Sequence, residues 1–199
     1  MEEFNNIKEI ILIVILSYIF GSIPFGFIFT KLFLKKDIRN IGSGNVGATN
    51  VMRTGNKLIG YFTLMFDILK AVIPILIIKL FFFQYIYIAS LCIFLGHIFP
   101  VWLKFKGGKG IATYIGILFC LNIYLGISFC LIWIIIFSIF KYSSLSSLIA
   151  TIFIPIINYL FFNDAFIFFY IIIFVLIFFS HRENIKRLIN SKESKSKIY

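Results

Sequence analysis

The sequence predicts an all-α integral membrane protein: a bundle of seven transmembrane helices, N-terminus outside and C-terminus cytoplasmic. Three observations predict it. The 199 residues are 61% hydrophobic with a mean hydropathy of +1.02, whereas a soluble domain is roughly 45–50% apolar. A chain of this size cannot hide so much apolar surface from water. Only 14% of residues are charged, against about 25% in an ordinary domain. Finally, the 19 Lys+Arg and 8 Asp+Glu, net +11, stand in short blocks between apolar runs. That pattern suits membrane topology and anionic ligands, not nucleic acid. A disordered chain and a soluble globule are both excluded. Cys92, Cys120 and Cys130 all lie within apolar runs and form no metal-type spacing, so neither a metal nor a disulfide framework is expected.

The elements follow in order. Residues 7–30 form the first span, preceded by acidic residues and followed by no small-residue cleavage site, so it reads as an anchor and not a signal peptide. Pro24 should kink its end, and Gly21, Ser22 and Gly26 thin one face for close helix packing. After a polar, basic, glycine-rich loop come spans 58–80 and 84–101. A second basic glycine loop, Lys104–Gly110, leads into an apolar run over 111–140 that is too long for one ordinary span. It divides near Asn122–Gly126 into 111–125 and 126–140. A Ser-rich break at Lys141–Ser147 precedes spans 148–162 and 165–180, which turn at Asn163-Asp164. The whole chain, 1–199, reads as a single membrane-embedded domain, with a basic cytoplasmic tail at 182–199.

Charge tests the count. Lys31, Lys35, Lys36, Arg39, Arg53 and Lys57 lie in the first loop; Lys104, Lys106 and Lys109 lie in the second. Lys141 stands alone, and Arg182, Lys186, Arg187, Lys192, Lys195 and Lys197 belong to the tail. Seven spans put all of these, 16 of the 19, on one face, with Asp164 and the region after Lys79 on the other. Lys/Arg excess marks the cytoplasmic side.

Two loops carry the chemistry. The first, Gly42-Ser43-Gly44-Asn45-Val46-Gly47-Ala48-Thr49-Asn50-Val51-Met52-Arg53, has glycines that let backbone approach a ligand and successive N–H groups suited to an anion nest. Ser43, Asn45, Thr49 and Asn50 add neutral donors, and Arg53 adds a fork matched to phosphate. In the second, Gly107, Gly108 and Gly110 surround Lys109 just before a helix, as a phosphate cradle would. The Walker A spacing is absent, which disfavours a nucleotide hydrolase. His97 reads as a hydrogen-bonded packing residue, and Asp67 and Lys70, three apart inside a span, read as partners for each other. Trp102 reads as an interfacial anchor. His181 and Asn184 share a helix face where the last span leaves the membrane. No H-x-x-x-x-D, H-E-x-x-H or G-x-S-x-G motif occurs. These residues point to phosphate-bearing ligands at a membrane surface and leave an enzyme and an organic-phosphate transporter both open. Internal repeats, common in transporters, are not apparent.

The words themselves resemble a family. Gly21–Gly26 (GSIPFG), Gly42–Arg53 (GSGNVGATNVMR), Gly96–Thr113 (GHIFPVWLKFKGGKGIAT), Ser144–Ser147 (SLSS) and His181–Leu188 (HRENIKRL) occur in this order. In that combination the sequence resembles the bacterial acyl-phosphate:glycerol-3-phosphate acyltransferases over almost its whole length. Two positions depart: Ser180 stands where the family usually has Arg, and Ser143 where Val is usual.

The resemblance implies a seven-helix enzyme of the bacterial inner membrane with a cytoplasm-facing active site. It would transfer a fatty acyl group from acyl phosphate to the 1-hydroxyl of sn-glycerol 3-phosphate, giving lysophosphatidate and phosphate, with no cofactor and no metal. It also implies membrane lipid as surroundings and functional coupling to the acyl-phosphate-forming enzyme. By position it assigns catalytic roles to Ser43, Arg53, Lys109, His181 and Asn184. Substrate-phosphate binding falls to Gly42, Gly44, Asn45, Gly107, Gly108, Gly110 and Ser146. Glu183 is expected to orient basic neighbours. The hydroxyl proton goes to His181 or to a substrate phosphate oxygen, and direct attack without an acyl-enzyme is preferred over Ser43 as a covalent nucleophile.

Overall fold

The computed structural model describes the backbone of residues 2–163 and 165–195, with side chains from residue 6 onward. Asp164 and Lys197, placed above outside the membrane and in the tail, fall outside the described residues. The chain divides into two compact units, Met1–Leu121 and Asn122–Tyr199.

The first unit holds six helices. α1 (Glu2–Ser22) and α2 (Phe25–Leu34) together make the first span, bent at Pro24 as expected. Pro24, which has no N–H and restrains the residue before it, breaks the run at Ile23-Pro24. α3 (Ala48–Met52) is one turn within the first glycine loop. α4 (Lys57–Phe81) starts on Asn56, whose side chain accepts the Ile59 N–H at 3.1 Å, and matches the expected second span. α5 (Ile86–Ile98) is flanked by 3₁₀ turns at Phe83–Tyr85 and Val101–Leu103, and the three together fill the expected 84–101. α6 (Ile111–Leu121) closes the unit.

Small residues bring these helices to backbone contact. A side chain on Gly21 would overlap the Ile93 carbonyl, and one on Gly96 would overlap the Tyr18 carbonyl, so α1 and α5 cross through reciprocal glycines. Tyr18 adds a hydrogen bond from its hydroxyl to the Phe99 carbonyl at 2.7 Å. Gly116 likewise seats α6 on the Ile68 carbonyl of α4. Lipid offers little hydrophobic force between helices, so this close van der Waals packing holds them.

The second unit begins where Asn122 accepts the N–H groups of Tyr124 and Leu125 at 2.9 and 3.4 Å. That cap places the break at Asn122, so α7 (Ile123–Phe140) starts before the expected 126 and contains Gly126. α8 (Ser143–Ile157) corrects a second expectation, because the Ser-rich segment is not a break but the first turns of a helix. Ser146 and Ser147 donate their hydroxyls to the carbonyls four residues back, at 2.8 and 2.9 Å, which satisfies them inside the helix. α8 runs on as a π-helical turn, Asn158–Phe162, ending on Asn163 at φ 45°. α9 (Ile167–Ser180) meets α10 (Arg182–Ile189) at a 62° bend, so the expected tail begins as a helix.

Four helical stretches among the described residues are long and apolar enough to cross a membrane: Asn6–Leu34, Phe83–Leu103, Ile123–Phe140 and Ser143–Phe162, with a fifth if α9 and α10 count as one. The protein is a multi-pass, all-helical membrane protein.

Candidate active site

Residues predicted for the site fall in each unit. In the first, both glycine loops rest on one small core of Ile38, Val46, Val51, Ile59 and Leu103. Leu103 belongs to the second loop region and the first three to the first loop, so apolar packing holds the two motifs side by side.

Asn50 organises the first loop. It is buried, and its Oδ1 accepts the Ser43 N–H at 3.0 Å. Its Nδ2 donates to the carbonyls of Asn45 and Ile41 at 2.8 and 2.9 Å. The residue read as a ligand donor therefore serves as a template that curls residues 41–45 around one amide. Gly42 and Gly44 take φ 57° and 71° in that curl, a region where a Cβ costs energy. The result leaves Ser43 exposed and Asn45 half-buried, with the Arg53 stem lying 3.3 Å from where a Gly42 Cβ would stand. Arg53 itself is exposed. Arg39 is committed elsewhere: its guanidinium bonds Asp37 at 2.6 Å, stands 4.9 Å from the Phe27 ring centre, and holds the Asp37 carboxyl down to about 2.

The second loop folds back on the end of α5. Gly107 donates its N–H to the Ile98 carbonyl at 3.0 Å and Gly108 to the His97 carbonyl at 3.1 Å. A Cβ on Gly108 would strike the His97 imidazole, so only glycine lies flat on that ring. Lys104 and Phe105, with φ 52° and 60°, turn the chain before it. Gly110 accepts the Tyr114 N–H at 2.7 Å and starts α6. Half-buried Lys109 stands just ahead of that helix N-terminus, an arrangement suited to an anion.

Beneath both loops lies a buried ionic cluster. Lys70 Nζ is 2.8 Å from Asp67 Oδ1, the pair anticipated from their spacing. His97 is buried as expected for a packing residue, and it joins the cluster with Nδ1 at 3.8 Å from the same oxygen. At that distance the contact is electrostatic and not a hydrogen bond.

In the second unit, His181 sits at the bend between α9 and α10, buried, with Nδ1 2.9 Å from the Ile177 carbonyl. A carbonyl can only accept, so Nδ1 carries the proton and the neutral ring keeps its lone pair on Nε2. Asn184 is buried and donates Nδ2 to Glu193 Oε1 at 2.6 Å, while its Oδ1 is buried without a hydrogen-bond partner. Ser144 donates to the same Glu193 oxygen at 2.8 Å, and Arg187 donates Nε to Oε2 at 2.7 Å. Burial alone would raise the Glu193 carboxyl; the three donors outweigh it and hold it below the usual carboxylate range. Glu193 had no sequence signal, standing among charged tail residues. Glu183, expected to orient basic neighbours, makes only an exposed pair with Lys186 at 3.5 Å. Ser146 spends its proton on the Tyr142 carbonyl and keeps only acceptor capacity. Ser180, the departure from the family pattern, donates to the Ile177 carbonyl at 2.9 Å and lies 3.3 Å from His181 Nδ1. Among the described residues, no three of His, Cys, Asp and Glu converge as a metal site requires.

Comparison with known proteins gives concordant findings. The family model described as Glycerol-3-phosphate acyltransferase matches residues 11–191. The glycerol-3-phosphate acyltransferase of Pelagibacter ubique (strain HTCC1062) is 61% identical over 191 residues, covering 96% of this chain and 100% of that one. The crystal structure of PlsY (YgiH), an integral membrane glycerol 3-phosphate acyltransferase, in its glycerol 3-phosphate form superposes with a TM-score of 0.89 at 39% identity, over 94% of this chain and 95% of that one. Its lysophosphatidic acid form gives 0.86 at 38%, over the same shares.

Proposed function

The chain belongs to the glycerol-3-phosphate acyltransferase family, and on that premise we propose how it acylates glycerol 3-phosphate: the donor is acyl phosphate, and the acceptor is the 1-hydroxyl. The products are lysophosphatidate and inorganic phosphate. The observation that carries the reading is the pair of glycine loops on one core, with Arg53 and Lys109 among them. A protein that brings together two phosphate-bearing substrates needs such duplicated anion-binding backbone.

The chemistry asks little beyond placement. Acyl phosphate is a mixed anhydride with a good leaving group. Holding hydroxyl and carbonyl in line supplies roughly 7–11 kcal/mol of the barrier. Each charge-assisted hydrogen bond adds about 1.5–3 kcal/mol. Arg53, Lys109 and the amides of Gly42 and Gly110 offset the repulsion between the two phosphates and stabilise the charge that develops on the leaving one, while the N–H groups of Gly44, Gly107 and Gly108 are spent on the carbonyls of Ile41, Ile98 and His97 and shape the loops. The glycerol oxygen attacks the acyl carbon, the carbon–oxygen bond to phosphate breaks, and the hydroxyl proton leaves on a phosphate oxygen or on His181 Nε2. The Nδ1 bond to Ile177 supports the second route, because it presents Nε2 as a base. Asn184 Oδ1, buried and unpartnered, accepts a substrate hydroxyl. Ser43, Asn45 and Ser146 complete the polar lining. The chain functions as one acyltransferase domain of seven spans in the bacterial inner membrane, its catalytic residues toward the cytoplasm, close to the enzyme that makes acyl phosphate.

The test is phosphate release by the purified protein in lipid, given palmitoyl phosphate with and without glycerol 3-phosphate. Release that requires glycerol 3-phosphate, yields lysophosphatidate and disappears in Lys109→Ala is the expected result. No transfer by folded protein from acyl phosphate, with acyl-CoA and acyl carrier protein donors active instead, overturns the donor assignment. Flux of glycerol 3-phosphate across proteoliposomes without acylation would favour a transporter.

A further inference from the structure

We propose that Asp67, Lys70 and His97 are positioning residues that set the phosphate cradle of the second glycine loop. The inference rests on the reading above, that this loop binds substrate phosphate, and adds the device that holds it in shape. The three side chains are buried at 4%, 2% and 5% exposure, in a helical membrane unit where ionisable groups are costly. An ion pair alone does not explain them, since well-packed apolar residues would be as stable in its place. What does explain them is the number of segments they tie together.

Lys70 Nζ donates at 2.8 Å to the carbonyl of Ile23, the residue at the α1–α2 break. That break aims α2, whose Gly26 packs against the Val46 carbonyl of the first loop. Asp67 Oδ1 takes Lys70 on one side and faces His97 on the other. The Asp67 carbonyl accepts the Thr113 hydroxyl at 3.2 Å, in the first turn of α6 behind Lys109. The His97 ring is the floor on which Gly108 lies, and its carbonyl takes the Gly108 N–H. So the ionic centre meets the hinge that orients the first loop and the floor of the second, and the backbone of Asp67 holds the helix turn that follows. Asp67, Lys70, His97, Val46 and Pro100 line one crevice beneath the loops, along with Ser22. Inside it, Asp67 Oδ1, His97 Nδ1 and Ser22 Oγ have no hydrogen-bond partner among the described residues, so Asp67 meets Lys70 and His97 by charge and not by a formed hydrogen bond. The Asp67 carboxylate, 3.8 Å from His97 Nδ1, biases the tilt of the imidazole and, through it, the plane of Gly107–Gly108.

A cradle binds phosphate in the ground state and in the transition state alike, so its distortion raises KM more than it lowers kcat. The experiment measures kcat, KM for glycerol 3-phosphate and the dissociation constant of radiolabelled inorganic phosphate, using the full chain in lipid nanodiscs. The variants are Asp67→Asn, His97→Phe, His97→Asn and the double Asp67→Asn/Lys70→Met. Asp67→Asn and His97→Phe should raise KM and the phosphate dissociation constant about tenfold, with kcat falling about threefold or less. His97→Asn keeps a nitrogen toward Asp67 and should recover part of that loss. The double variant removes the pair without leaving a lone buried charge, so it should melt near the wild type yet keep the raised KM. If the double variant restores KM, or if Asp67→Asn lowers only the thermal midpoint while the folded fraction binds phosphate normally, the cluster is merely structural and the proposal fails. A wild type that binds phosphate but transfers no acyl group defeats the function proposed above, while the phosphate constants of the same variants still decide this one.

Discussion

Glu193 and Asn50 show how single side chains carry the site without touching a substrate. The Glu193 carboxylate gathers Ser144, Asn184 and Arg187 on its two oxygens and is 6% exposed. The Arg187 side chain is 36% exposed, so solvent partly screens the pair and removing one partner costs about 1–3 kcal/mol. Glu193→Gln keeps shape but loses charge; it should lower the thermal midpoint and turnover together, read by unfolding in detergent and by the phosphate-release assay. The pH dependence has a definite sign. The folded carboxyl titrates below its ordinary range, so the clasp stabilises the protein above that range and is lost as pH falls through the lowered value. Midpoints of wild type and Glu193→Gln should converge in acid. Asn50→Leu strands the carbonyls of Ile41 and Asn45 and the N–H of Ser43. It should cost roughly 2–4 kcal/mol and remove activity while circular dichroism still shows the helices.

At the scale of elements, the crossing of α1 and α5 is the most demanding contact, because backbone meets backbone at Gly21 and Gly96. Gly21→Ala and Gly96→Ala should each destabilise by about 1–3 kcal/mol, seen as a lower thermal midpoint. The same methyl in open space should do little, and no atom lies within 4 Å of a Cβ built on Gly55, although its φ of 92° adds backbone strain. The bend of 62° between α9 and α10 turns the amphipathic HRENIKRL stretch away from the line of the apolar helix. His181 stands at that bend and Asn184 one turn later.

For the whole molecule, the proposed arrangement of seven spans with the basic blocks inside predicts a labelling pattern. In a background with Cys92, Cys120 and Cys130 replaced, cysteines at Thr54, Lys106 and Lys141 should react with an impermeant thiol reagent only from the cytoplasmic side. A cysteine at Gln84 should react only from outside. The opposite pattern at Lys141 would mean that the apolar run of 111–140 crosses once. Among the described residues, four stretches meet the length and hydropathy of a span unaided. α6 is 11 residues, about 16 Å at 1.5 Å per residue, short of a hydrocarbon core of about 30 Å.

Composition and the order of the motifs determined the membrane class, the sidedness expectation and the family, because lipid solvent and phosphate chemistry both constrain residue type directly. The limits near Pro24 and Asn122 were legible because both residues act through local backbone chemistry. The Ser144–Ser147 segment was misread as a break because serine's preference for turns competes with its ability to bond its own helix, and only the helix reveals which wins. Tertiary structure alone decided that Asn50 serves the loop, that Glu193 clasps Asn184, and that His97 belongs with Asp67 and Lys70. His97 and Asp67 lie far apart in the chain, and Glu193 stands in a tail that looks like solvated charge. Their roles come from which groups the fold buries together, and burial makes an ordinary polar side chain find a partner.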